Sequence, residues 1–348
     1  MDVLPTLWFA VLALLWIGFL LLEGFDFGVG MHLLFGTRDE SRRRLKLNTI
    51  GPVWDGNEVW LLTAGAGTFA AFPMWYASLF SSLYVPLVAV LVALIVRAVS
   101  IEYRGKALTT RGRDAWTWCM GLGSLVAAFG IGAMLGITTT GLPLDEFGNR
   151  VGGAFAWFSI EGVIAGLGVV GFALVHGATF LALKTDGPTR ESARRFITRF
   201  APVVLLPLVA WVAIVTWNGS KVVAWVLVAV AASAGVFGWV SNQRGREGWS
   251  FIGFGTLLVA GASAIFYSVY PVVLPSTLDP EFSLTVSNAS SSDYTLGVMS
   301  VVALVSVPFI LAYQAWSYWV FRKRLTADAI PQVAVVVPAV RDVAADKS

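Results

Sequence analysis

The strongest constraint on this chain is a succession of apolar runs, most of them as long as the roughly 20 residues a helix needs to cross about 30 Å of hydrocarbon. Nine can be laid out along the 348 residues: 7–35, 52–72, 78–101, 116–138, 158–183, 202–217, 222–240, 251–273 and 295–321. Hydrophobic residues make up 57% of the chain and charged residues 13%, so too little polar surface remains to cover a water-facing molecule. The expectation is an all-α integral membrane protein with nine transmembrane helices over 1–324. A flexible cytoplasmic tail, 325–348, is expected to follow, because that stretch lacks helical periodicity and contains Pro331 and Pro338. A soluble enzyme, a disordered protein and a nucleic-acid partner are excluded by the same composition.

Orientation follows from where the basic residues fall, because cytoplasmic loops retain Lys and Arg. Of the 24 basic residues, 22 lie in one alternating set of loops and the tail, in groups such as Arg42, Arg43, Arg44 and Lys46, or Arg190, Arg194, Arg195 and Arg199. The opposite side has Arg150 and Lys221. The amino terminus is therefore expected outside and the carboxyl terminus in the cytoplasm. The first run has Asp2 in place of a basic n-region and no small-x-small cleavage site, so it is expected to stay as a helix. Tryptophans near the ends of the runs, Trp8, Trp116, Trp217, Trp249 and Trp319 among them, read as interfacial anchors. The pairs Gly24 and Gly28, Gly132 and Gly136, and Gly162 and Gly166 read as sites of close helix approach.

Chemistry is restricted by what is scarce. A single cysteine, Cys119, removes disulfides, iron–sulfur ligation and two-thiolate metal sites within the chain. Two histidines remain. His176 sits in an apolar stretch and reads as a buried histidine bonded to a neighbour, while His32 reads as interfacial; at most one bis-histidine haem is compatible with that number. There is no phosphate-binding glycine loop, no dinucleotide fingerprint and no serine nucleophile elbow, so self-contained catalysis is not expected.

Ionisable groups inside spans are costly, by about 3 kcal/mol or more at a helix centre, and so are functional candidates. Glu23 and Asp26 are three apart on the first run, and Asp55 and Glu58 three apart on the second, each pair sharing a helix face. Chain direction places both pairs between mid-membrane and the cytoplasmic end, with Asp26 about 14 Å from Phe35. Glu161 falls at an outer helix end, where the interface solvates it. The four carboxylates have three readings: a proton relay from the cytosol; a structural role, in which Glu23 and Asp26 pair with Arg97 or a partner chain or cap a broken helix; and a cation site. No metal site is expected.

The segment EGFDFGVG at 23–30, and above all GPVWDGNEVWLLTAGAGTFAAFPMWYASLFSSLY at 51–84, resembles subunit II of the cytochrome bd quinol oxidases. The similarity continues through RAVSIEYRGK at 97–106, HGATFLALKTDG at 176–187, YPVVLPSTL at 270–278 and LTVSNASSSDYTLGVM at 284–299. The resemblance implies a bacterial cell-membrane complex that oxidises quinol, reduces dioxygen to water and takes its protons from the cytoplasm. It implies a partner subunit I holding two b haems and haem d, with no haem on this chain, and a proton path through the aspartate matching Asp55, with Glu23 and Asp26 as neighbours. Here Glu23 stands where many members have Asp, and Glu58 where some have Gln, so the resemblance does not imply an essential carrier at Glu58. The resemblance also admits a structural quinone without fixing its residues, contacts with membrane lipid, and small accessory subunits. A stand-alone proton-coupled transporter is the alternative, disfavoured because no broken-helix pair repeats in the two halves. A pure assembly factor is the third reading.

Overall fold

The computed structural model describes residues 3–35 and 39–326. The expected tail therefore lies outside the described residues from 327 onward. Twelve α-helices account for most of the described chain. In order they are α1 Val3–His32, α2 Glu40–Ile50, α3 Trp54–Ala71, α4 Pro73–Ser82, α5 Tyr84–Tyr103, α6 Thr110–Thr140, α7 Ile160–Lys184, α8 Gly187–Val204, α9 Leu206–Gly219, α10 Val222–Gln243, α11 Glu247–Val269 and α12 Asp293–Val320. A small antiparallel hairpin, β1 Val272–Leu274 with β2 Leu284–Thr285, lies between α11 and α12.

Eight helices or helix pairs among the described residues are long and apolar enough to cross a membrane: α1, α5, α6, α7, α8 with α9, α10, α11 and α12. The chain is thus a multi-pass membrane protein. The run at 52–72 becomes α3, whose 18 residues carry Asp55 and Glu58 and are less apolar than the eight. The run at 78–101 is interrupted at Leu83, which separates α4 from α5. Pro73 separates α3 from α4, because the residue before a proline is pushed out of the helical region and Phe72 adopts φ −135°, ψ 69°. The run at 202–217 is the apolar part of a longer rod, α8–α9, hinged at Leu205 where Pro207 opens the second helix. The run at 251–273 ends early, its last residues turning into β1.

Helix starts obey local chemistry. The side chains of Asp39, Thr109, Ser159, Asp186 and Ser292 each accept a backbone N–H at the start of α2, α6, α7, α8 and α12. The centre of the bundle is α7, with 78% of its most apolar window buried, packed on α1 and α6; α12 is peripheral at 6%. Glycines permit the close crossings. A Cβ on Gly28 would run into the Ala173 carbonyl, and one on Gly177 would strike the Gly28 backbone. Gly132 and Gly136 likewise face Val169 and Ala165.

The two ends of the bundle differ. At one, Arg104 makes a two-pronged contact with Glu40 at 2.9 and 2.7 Å, Arg43 meets Asp114 at 2.5 Å, and Lys184 donates to the Phe321 and Lys323 carbonyls. Lys46 donates to the His32 carbonyl at 2.7 Å and the Phe35 carbonyl at 3.4 Å, tying α2 under the end of α1, and burial pushes its pKa down to about 8. At the other end, the loop before α12 covers the end of α3 through Ser291, which donates to the Ala71 and Ala70 carbonyls.

Candidate functional site

α1 brings Glu23 and Asp26 into the interior on one face, and both side chains are wholly buried. α5 supplies Arg97, also with no exposed surface, from the last third of a helix whose neighbouring positions are apolar. Its Nη1 lies 2.6 Å from Glu23 Oε1 and 3.7 Å from Glu58 Oε2. The guanidinium also stands 5.0 Å above the Phe27 ring centroid, a cation–π contact that fills its remaining face. Structural pairing of Glu23 with Arg97, one of the readings drawn from the sequence, is therefore present. Asp26 is held differently.

The partner of Asp26 is an amide. Asn57, in the second turn of α3, donates from Nδ2 to Asp26 Oδ2 at 2.7 Å and, more weakly, to the Leu22 carbonyl at 3.4 Å. Its Oδ1 accepts from Tyr318 Oη at 2.7 Å and from Gln314 Nε2 at 3.0 Å, both on α12. Asp26 Oδ1 and Glu23 Oε2 are buried with no N–H or hydroxyl donor, and the Glu23 and Asp26 carboxyls lie within hydrogen-bonding reach of each other. One fully buried guanidinium thus faces two fully buried carboxyls, with a third at the rim. In low dielectric such a set is least costly when its charges cancel, which gives it the capacity to hold a proton.

The four sequence candidates do not form one cluster. Glu23, Asp26 and Glu58 come together around Arg97, with the Glu58 side chain 21% exposed at the rim. Asp55 sits in the first turn of α3 on the outside of this chain. Asp26 is six residues from the end of α1, about 9 Å, closer to the helix end than the sequence suggested because α1 stops at His32 and not at Phe35. Asn57, Gln314 and Tyr318 escaped the sequence reading, since neutral polar residues in a helix carry no cost conspicuous enough to flag. So did Glu247 at the start of α11, a side chain 5% exposed that gathers Arg190 at 2.7 Å, Arg324 at 3.5 Å and Arg194 at 3.7 Å.

Both histidines are structural in their contacts. His176 is buried, as expected, with Nε2 3.1 Å from the Leu21 carbonyl and its ring stacked between Phe251 and Phe172 at 4.5 and 4.9 Å. His32, the last residue of α1, is 7% exposed, bonded through Nε2 to the Leu174 carbonyl at 2.8 Å and met edge-on by Phe196. Each ring has its Nε2 committed to a main-chain carbonyl, and His176 Nδ1 is buried without a partner. Among the described residues no group of three His, Cys, Asp or Glu is arranged to hold a metal ion.

An apolar cavity of about 110 Å³ lies between α1, α6, α7, α9, α10 and α11, lined by residues such as Leu20, Leu135, Val169, Trp211, Leu258 and Ile265. Its two hydroxyls, Thr138 and Thr139, already donate to the Leu135 and Gly136 carbonyls, and Trp211 Nε1 donates to Thr139.

Residues 4–321 match the sequence profile of the family described as cytochrome bd terminal oxidase subunit II. Similar proteins include cytochrome bd ubiquinol oxidase subunit 2 of Bacillus subtilis (strain 168), 38% identical over 335 residues, with 94% of this chain and 98% of that protein covered. Another is cytochrome bd-I ubiquinol oxidase subunit 2 of Escherichia coli (strain K12), 33% identical over 368 residues, with 94% and 97% covered. The fold is also that of a chain in the bd oxidase from Geobacillus thermodenitrificans, with a TM-score of 0.75 at 20% identity over 91% of this chain and 98% of that one.

Proposed function

The chain belongs to the cytochrome bd terminal oxidase subunit II family and is a subunit of a quinol oxidase complex, and from that premise we propose that it scaffolds the haem-bearing subunit I and supplies a proton inlet from the cytoplasm. In this reading two b haems and haem d, held by subunit I, supply the electron transfer from quinol and the reduction of dioxygen. The observation that carries the inlet is the graded burial of the acidic residues, from exposed Asp55 through half-buried Glu58 to Glu23 and Asp26 at the centre. Asp55 receives protons at the edge of this chain, Glu58 stands between it and Arg97, and the buried pair holds them. Because Asp55 and Glu58 open on the side of α3 that this chain leaves uncovered, the path is completed by a partner surface.

The same reading counts α3 as a ninth crossing, since it joins the two ends of the bundle beside α1 and α12. It places the arginine-rich end in the cytoplasm, the amino terminus outside, and the whole in the bacterial cell membrane. For a structural quinone, the apolar cavity offers a surface that would receive part of a hydrocarbon tail. The hydroxyls there are already engaged and assign no residue to the ring.

Replacement of Asp55 by Asn in the purified complex tests the inlet. Oxygen consumption and proton uptake are expected to fall at least several-fold while the haem spectrum is unchanged. Unaltered turnover with an intact complex contradicts the inlet, and loss of the haems makes Asp55 structural. A haem-free chain that moves solute in vesicles would instead support the transporter reading.

A further inference from the structure

We infer that Gln314 and Tyr318 are positioning residues that fix which oxygen of Asp26 carries its exchangeable proton, and that this oxygen is Oδ1. The inference rests on the proton-inlet reading and deepens it. An asparagine side chain offers two N–H donors and an oxygen with two lone pairs, and Asn57 has all four engaged. Tyr318 and Gln314 both donate to its oxygen from α12, so the oxygen faces α12 and the amino group faces α1. Turned over, the amide would set its oxygen against the Leu22 carbonyl at 3.4 Å and Asp26 Oδ2 at 2.7 Å, acceptor against acceptor, and would give up the two hydrogen bonds it accepts from Gln314 and Tyr318. With the amide held as it is, Asp26 Oδ2 always meets an N–H and is confined to accepting. A proton arriving at Asp26 therefore forms its O–H bond at Oδ1, the buried oxygen that Asn57 does not hold, in a carboxyl that the Glu23 carboxyl also meets, and leaves by breaking that bond.

The arrangement makes Asp26 depend on α12, the least embedded helix. Leu296 is its one buried residue; Met299 and Ala303 pack partly buried on the core, the Trp8 indole at the far end donates to the Leu296 carbonyl and Ser300, and the edge of Tyr318 meets Phe25. Whatever covers α12 in the assembled complex sets the position of Gln314 and Tyr318, and through one amide the orientation of the carboxyl.

Redox-triggered infrared difference spectra of the whole purified complex test this, with the Asp26 acid band identified by its loss in Asp26→Asn. In the unaltered complex the carbonyl of the protonated acid is Oδ2, hydrogen-bonded by Asn57, so its stretch lies on the low side of the carboxylic acid range. The combined variant Gln314→Leu with Tyr318→Phe releases Asn57. The band is expected to move to higher wavenumber or split, the pH profile of oxygen consumption to move, and turnover to fall several-fold at constant haem content. Tyr318→Phe alone, which removes one O–H, gives a smaller change in the same direction and keeps the test available should the double variant lose its haems. An unmoved band with an unchanged pH profile overturns the proposal, as does the absence of any Asp26 band. Full turnover in Asp26→Asn overturns the inlet reading itself, whereas slow turnover in that variant with no effect at α12 overturns this inference alone.

Discussion

At Arg97 a guanidinium with no access to solvent is shared between Glu23 and Glu58, and removing it strands a buried carboxylate. Arg97→Gln is expected to lower the stability of the chain by about 3–5 kcal/mol, the usual consequence of leaving one half of a buried pair. Adding Glu23→Gln should restore much of it, read as the coupling in a double-mutant cycle of thermal unfolding. Strictly additive losses would mean that the pair is not an energetic unit. Lys46 makes a second residue-level prediction. Its folded pKa of about 8 lies below the 10.5 of an exposed lysine, so between those values the unfolded chain binds more protons and stability rises with pH. The gain relative to Lys46→Met is bounded by about 3 kcal/mol, absent below pH 8 and complete by pH 10.5. A flat difference in unfolding midpoints across that range would contradict the burial of this ammonium. Of these residues the sequence exposed the charged ones, because a charge in an apolar run is conspicuous. Asn57, Gln314 and Tyr318 were invisible, because their importance lies in pairing across helices 31 to 261 residues apart and not in their own solvation.

The helices themselves were largely legible. Long apolar runs can satisfy their backbone in hydrocarbon only as helices, so most runs and the observed spans agree to within several residues. The misses have local causes: proline at 73 and 207 subdivides what hydropathy joins, and α2 is too polar to register as anything but a basic loop. Glycine spacing correctly marked close approaches, though only the structure pairs Gly28 with Gly177. Gly177→Leu should therefore wedge α1 from α7 and prevent accumulation of folded chain, measured by monodisperse yield in detergent. At Gly297, on α12, an added side chain meets nothing within 4 Å in this chain. Gly297→Leu is expected to fold normally and yet weaken co-purification of the partner subunit. Normal recovery of the complex would show that this part of α12 faces lipid.

For the whole molecule, the alternation of basic and non-basic loops anticipated which helix ends meet, and Arg104 with Glu40 or Arg190 with Glu247 now tie together one end. A cysteine placed at Ser290 in a Cys119→Ser background should react with an impermeant thiol reagent from outside intact cells, and one at Ser41 should not. The reverse pattern would invert the topology. Two histidines and one cysteine leave little to hold haem within this chain, and both histidines engage main-chain carbonyls through Nε2. In the proposed inlet the surroundings of Asp55, exposed in this chain, are completed by another surface. The most direct test of the inlet is therefore proton uptake from the arginine-rich side during oxygen reduction by the reconstituted complex, comparing Asp55→Asn with the unaltered protein at equal haem content. Uptake and turnover slowed together, at least several-fold with unchanged spectra, are the predicted result; proton uptake at the full rate would contradict it.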